Sequence, residues 1–287
     1  MQGFTHSPLS PLTRAMKMST TLLRTGFLAP IAFMSVLIVI SGNVSPVHAW
    51  SIVESTSWQY ARATFYGGLN AAGTMGGACG FGNLYATGYG VSTTALSETL
   101  FNGGTSCGAC FELKCVLSQS KWCYATGGSI VITATNYCPP NWNRPTDGWC
   151  NPPQNHFDLA YPMFAKLAQR VGGIIPVQWR RVPCIKQGGI RFQINGNPWF
   201  MLVLVYNVGG AGDVYGMELK GTSTTSYYTM THNWGGNWEL KEKLVGQALS
   251  FRVTLSDNSK LTSTRAVNKY WRFGSTYECT QNFDPVL

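Results

Sequence analysis

The chain predicts an all-β protein: a cysteine-bearing N-terminal part followed by a β-sandwich. Three observations carry that prediction. Strand and turn formers dominate, with 32 glycines among 287 residues and only 11% charged residues. Long amphipathic helical patterns are scarce. Eight of the nine cysteines fall between Cys79 and Cys184, after which the chain becomes a series of short strand patterns separated by turn residues. The length suffices for one large domain or two ordinary ones.

The N-terminus reads as a secretory leader. Arg14, Lys17 and Arg24 precede an apolar run over residues 27–40, and Val47-His48-Ala49 offers small residues for cleavage before Trp50. The expected signal covers 1–49, with Met16 and Met18 as alternative starts. The run contains Pro30 and Ser35 and is short for a membrane span, so no transmembrane segment is expected after signal removal. Without the leader the formal net charge falls from +9 to +6, with 18 basic against 12 acidic residues. That balance suits an acidic extracellular matrix. The basic residues are scattered, so nucleic acid is not an expected partner. Export turns the cysteines into a disulfide framework. Cys107-Gly108-Ala109-Cys110 has no second pair or nearby His to complete a metal site, so no metal is expected. Cys279 stands alone, either free or paired between molecules. The Asn43-Val44-Ser45 sequon falls in the leader, so no N-glycan is expected on the mature chain.

In chain order, residues 63–66 alternate as a first strand. Residues 67–82 form a glycine-rich loop without the strand–helix setting or the GK[ST] ending of a phosphate loop, which excludes nucleotide binding. Strands are expected at 110–115, 129–135 and 177–184, with a Pro/Asn/Trp loop over 138–153. One helix is expected, with Pro162 in its first turn and Gly172 at its exit. Met163, Leu167 and Val171 share its buried face, flanked by Phe164 and Ala168. Residues 185–189 read as a linker. Six strands follow, at 190–194, 199–208, 214–219, 227–231, 249–255 and 261–267. Asn195-Gly196 and Asp257-Asn258 read as hairpin turns, and the whole as a sandwich.

Several motifs stand together in an order that resembles the plant α-expansins. They are Ala63-Thr64-Phe65-Tyr66-Gly67-Gly68, Gly76-Gly77-Ala78-Cys79-Gly80, the cysteines from Cys107 to Cys115, His156-Phe157-Asp158, Arg180-Arg181-Val182-Pro183-Cys184, Gly189-Ile190-Arg191-Phe192 and Asn233-Trp234-Gly235-Gly236-Asn237-Trp238. The resemblance covers nearly the whole mature chain. It implies a six-stranded double-psi β-barrel over 50–184, similar to a family of inverting endoglucanases. An immunoglobulin-like, cellulose-binding β-sandwich would follow over 190–287. It further implies loosening of plant cell walls at acid pH without hydrolysis and without a cofactor. The implied partners are cellulose and matrix polysaccharides such as xyloglucan. The implied state is a monomer, placed in the cell wall or peripherally at the membrane. The implied disulfides are Cys79–Cys107, Cys110–Cys184 and Cys115–Cys123, with Cys138–Cys150 as the α-type addition.

The carboxylates bear on hydrolysis. Between Thr64 and Cys184 only Glu98, Glu112, Asp147 and Asp158 occur, whereas an inverting glycosidase needs an acid and a base ~6.5–9.5 Å apart. Asp158 lies in the motif that resembles the endoglucanase general acid, although its place shortly before Pro162 would also suit the start of a helix. Glu112, in a strand, is expected to pair with a basic residue. Asp147 remains an alternative base. Asn70 stands near the position where many α-expansins carry an Asp. An acid without a base can donate a proton but does not readily activate water. Asp158 is therefore the expected groove acid, His156 its orienting partner, and Thr64 and Tyr66 hydrogen-bonding groups for a glycan. A true endoglucanase and a plain cellulose-binding wall protein are the competing readings. A flat polysaccharide calls for exposed aromatic rings, since apolar sugar faces stack on π-faces. The family's platform positions fall on Trp199, Phe200 and Trp234, with Trp238 and Tyr227 as lesser candidates. Strand alternation would place one of Trp199 and Phe200 in the core, with Trp199 the exposed one.

Overall fold

The structure, a computed structural model, describes residues 57–285. The expected signal over 1–49 lies outside the described residues. Six strands, β1 (Gln59–Tyr66), β2 (Thr93–Leu96), β3 (Cys110–Cys115), β4 (Ser129–Tyr137), β5 (His156–Ala160) and β6 (Ile175–Arg181), close into a barrel in the order β1-β5-β2-β4-β3-β6. The β1–β5 and β2–β4 pairs are parallel and the other four antiparallel. Alternate residues point inward, and the rings of Phe111, Phe157 and Trp179 meet at 5.3–5.6 Å, Phe111 edge-on to both and Phe157 tilted against Trp179. Each such ring buries a large apolar surface.

The short helix α1 (Glu98–Phe101) follows β2, and α2 (Tyr161–Leu167) follows β5. Helix α2 begins where Pro162 predicts but ends at Leu167, one turn before the expected exit. Met163, Phe164 and Leu167 are buried as expected, while Val171 is 68% exposed. The reason is a competing backbone pairing. Leu167 O accepts from Tyr124 N, Gln169 N donates to Trp122 O, and Ala168 bridges Cys123 in extended form. These bonds use groups the helix would have needed. The segment around His156 is a mid-barrel strand, so Asp158 does not start a helix.

The second layer is a sandwich. One sheet has the order β10-β9-β13-β14 and the other β11-β12-β8-β7-β15. The strands are β7 (Arg191–Asn197), β8 (Phe200–Tyr206), β9 (Val214–Gly221), β10 (Tyr228–Thr229), β11 (Thr231–Trp234), β12 (Asn237–Leu240), β13 (Leu249–Leu255), β14 (Lys260–Val267) and β15 (Ser275–Glu278). Phe192 and Phe251 stack between the sheets at 4.0 Å. The first hairpin is displaced from its expected place. Asn195-Gly196 lies inside β7, and the chain reverses at Pro198-Trp199. The Asn197 side chain accepts from the amides of Trp199 and Phe200, an Asx turn that Pro198 favours. Gly196 remains necessary, because a Cβ there would lie 2.0 Å from Phe200 O.

Barrel and sandwich meet through the glycine-rich loop. Gly236 N donates to Cys79 O at 2.9 Å, Gly104 packs on the Gly235 backbone, and Leu204 and Tyr206 of β8 join the barrel's core. Four disulfides are present: Cys79–Cys107, Cys110–Cys184, Cys115–Cys123 and Cys138–Cys150. Cys279 is free and buried, with its thiol directed at Gln281 O. The segment after it is tied down by Asn282, which donates to Gly188 O and Asn207 O and accepts from Gly209 N.

Candidate functional site

The parallel register of β1 and β5 sets Arg62 opposite His156 and Thr64 opposite Asp158. Strand alternation turns Ala63 and Phe157 into the barrel and leaves Arg62, Thr64, Tyr66, His156 and Asp158 on the other face. The Thr64 hydroxyl donates to Asp158 Oδ1 at 2.7 Å and stands 2.8 Å from His156 Nε2. That hydroxyl has one proton, already given to the carboxylate, so the imidazole must donate through Nε2–H. His156 Nδ1, which in this tautomer carries no proton and can only accept, is buried and has no partner among the described residues.

The electrostatics agree. Burial, reinforced by the Arg62 guanidinium, holds the His156 imidazole down to about 4, so the ring is neutral. Burial pushes the Asp158 carboxyl above its ordinary value, and the Thr64 hydrogen bond partly offsets this. Asp158 therefore keeps its proton to a higher pH than a free carboxyl. The Tyr66 phenol, raised by burial, accepts from Asn136 Nδ2 at 3.3 Å, and the nearby Asp158 charge raises it further.

The barrel's other carboxylates are engaged elsewhere. Glu112 pairs with Arg180, at 2.6 Å, and with Ser129; Asp147 pairs with Arg144; Glu98 accepts from the Tyr137 phenol. Asn70 shapes its own loop, accepting from Ala72 N at 3.1 Å. Among the described residues no group of three or more His, Cys, Asp or Glu is arranged to hold a metal ion.

Three residues around Thr64 and Asp158 escaped the sequence reading. Arg62 lies two residues before Thr64 on the same face of β1, a placement the alternation alone signals. Its guanidinium sits 5.0 Å from the centre of the Trp149 ring, which is 39% exposed. Trp149 belongs to the loop closed by Cys138–Cys150, which the Asn151 amide ties to Asn141 O and Arg144 O. Asn136 reaches Tyr66 from β4, a pairing across 70 residues that no local pattern reveals.

On the sandwich, Trp199 is 70% exposed and Trp234 47% exposed. Trp199 lies in the turn before β8, so strand alternation does not force either it or Phe200 inward, and Phe200 is itself partly exposed. Trp238 is a correction. It is 5% exposed, pairs with Val203 on the core face and meets His232 edge-on, so it fills the sandwich and is not a platform ring. Tyr227 precedes β10, in the other sheet, with Arg252 4.3 Å from its ring. The Trp234 ring rests on Gly80 of the barrel loop, where a Cβ would meet it at 2.9 Å.

Comparison with known proteins points the same way. A family model described as the expansin C-terminal domain matches residues 190–267, and one described as lytic transglycolase matches 93–179. Expansin-A13 of Oryza sativa subsp. japonica is 52% identical over 234 residues, covering 80% of this chain and 89% of that protein. Expansin-A7 of Arabidopsis thaliana is 52% identical over 229 residues, covering 79% and 86%. Among solved structures, the apo expansin of Clavibacter michiganensis aligns with a TM-score of 0.61 at 18% identity, covering 80% of this chain and all of that one. A mutant of that bacterial expansin in complex with cellohexaose aligns with a TM-score of 0.59 at 17% identity, with the same coverage.

Proposed function

Taking as premise that this chain belongs to the expansin family, among its Expansin-A members, we propose that it loosens plant cell walls by disrupting contacts between cellulose and matrix glycans, without hydrolysis. The observation that carries this reading is a half-buried acid whose hydrogen-bond partners are Thr64 and, through it, His156, in a barrel whose other carboxylates are engaged elsewhere. In acid, Asp158 gains a proton and becomes a donor. It can then compete for a glycan hydroxyl that otherwise bonds a neighbouring chain. Thr64 and Tyr66 offer further hydrogen bonds, and neutral His156 holds Thr64 in place. No paired base activates water, so the glycosidic bond survives.

In this reading residues 50–184 form the acting domain and 190–287 the docking domain. Trp199, Phe200 and Trp234 stack on the flat face of cellulose, the polymer whose hexasaccharide the bacterial neighbour holds. Matrix partners such as xyloglucan and a monomeric state are part of the proposal. The place of action is the cell wall, and the comparisons lend no support to a peripheral membrane location. The test is extension of heat-inactivated wall strips under constant load at acid and neutral pH, with assay of the bath for sugar. Acid-dependent extension without sugar release is expected. Released oligosaccharide would mean an endoglucanase with a base elsewhere.

A further inference from the structure

A second cleft lies where the barrel, the inter-domain linker and the C-terminal segment come together. It encloses about 580 Å³, and among the described residues its wall carries Arg180, Arg181 and Lys186 and no carboxylate. Arg180 and Arg181 are held by Glu112 and Asp213 behind the wall. Lys186 differs: among the described residues it forms no ion pair, and its ammonium sits 4.5 Å from the centre of the Tyr89 ring. Tyr89 is fixed in turn, stacked on Phe81 at 4.7 Å and bonded through its phenol oxygen to Asn207 N. The cation is thus held in place, partly stripped of water and, among the described residues, without a counter-ion. Burial lowers its affinity for the proton, to a pKa of about 8. Such a group gains most from an anion that enters the cleft, because the anion replaces solvation already lost. Val131 and Ile185, both exposed at the rim, add an apolar shelf. A cleft of this size with one unpaired cation and an apolar shelf fits a sugar ring bearing a carboxylate better than a bare inorganic ion.

We propose that the cleft around Lys186 binds an acidic oligosaccharide, with a uronate carboxylate on the Lys186 ammonium and the sugar ring against Val131 and Ile185. This site is separate from the Asp158 groove and from the aromatic platform, and it gives the molecule a contact to charged matrix glycan that neutral cellulose cannot use.

The experiment is calorimetric titration of the full mature protein with trigalacturonate. Saturable binding is expected, at least tenfold weaker for the fully methyl-esterified trimer, an arm that needs no variant. Lys186→Gln should weaken binding at least tenfold, Lys186→Arg should keep most of it, and Lys260→Gln, an exposed lysine outside the cleft, should leave it within twofold. Equal affinity for the esterified trimer, unchanged binding by Lys186→Gln, or an equal loss with Lys260→Gln would overturn the proposal. So would displacement by equimolar sodium sulfate, which would reveal a plain anion site.

Discussion

Thr64 is the residue on which the proposed chemistry turns, because one hydroxyl joins a neutral imidazole to a half-buried carboxylate. Replacing Asp158 by Asn keeps the shape and removes the titrating proton. Acid-dependent wall extension should vanish while cellulose binding stays within twofold, as read by pull-down on microcrystalline cellulose. His156 leaves a mark on stability. Its folded pKa, about 4, lies below the ordinary ~6.5 of an unfolded His, so between those values the unfolded chain binds the extra proton. The stability it contributes is complete above 6.5 and is lost as pH falls towards 4, by about 3 kcal/mol. Denaturant titrations across that window should show the loss in the wild type and a clearly smaller one in His156→Gln. Asp158 contributes with the opposite sign. Its raised pKa gives stability that is present below the ordinary carboxylate range and is lost as pH rises through the elevated value.

At the scale of elements, the β7–β8 hairpin and β11 carry the exposed rings of the proposed platform, Trp199 and Trp234. Trp199→Ala or Trp234→Ala should lower cellulose affinity by roughly 1–3 kcal/mol, about 5- to 150-fold, with little change in melting temperature. Trp238→Ala should do the reverse. It empties a core position, costs roughly 3–5 kcal/mol of stability and shows as a lowered denaturant midpoint. The two outcomes separate ring stacking on a glycan from ring packing in a core. Helix α2 illustrates how far a local pattern reaches. Pro162 set its start correctly, but its end was decided by backbone pairing with the Trp122–Tyr124 segment.

At the scale of the whole molecule, the junction is built from close backbone approaches. Gly80 has φ +81° and supports the Trp234 ring, so Gly80→Ala both strains the backbone and pushes that ring aside. A loss of ~1–3 kcal/mol in stability, together with weaker cellulose binding, is the expected outcome. Cys110–Cys184 closes a span of 74 residues next to the linker. Replacing both with Ser should cost about 4 kcal/mol under reversible unfolding, since long loops gain most from closure.

Composition sufficed for the all-β class, and motif order, through the resemblance it carries, for a barrel followed by a sandwich and for the choice of Asp158, Thr64, Tyr66 and His156 as candidates. Those features are written in local chemistry: turn residues, strand alternation and residue types that suit acid–base work. Tertiary structure alone decided the rest. Strands β2 and β5 are short and largely buried, so they show no clear alternation, and β5 acquires its meaning only from its parallel register with β1. The link from Thr64 to Asp158 spans 94 residues, Asn136 reaches Tyr66 across 70, and Trp149 reaches Arg62 from a disulfide-closed loop. Whether Trp238 was core or platform depended on which face of β12 met the opposite sheet. These are facts about distance in space, and a chain read one residue at a time contains no measure of it.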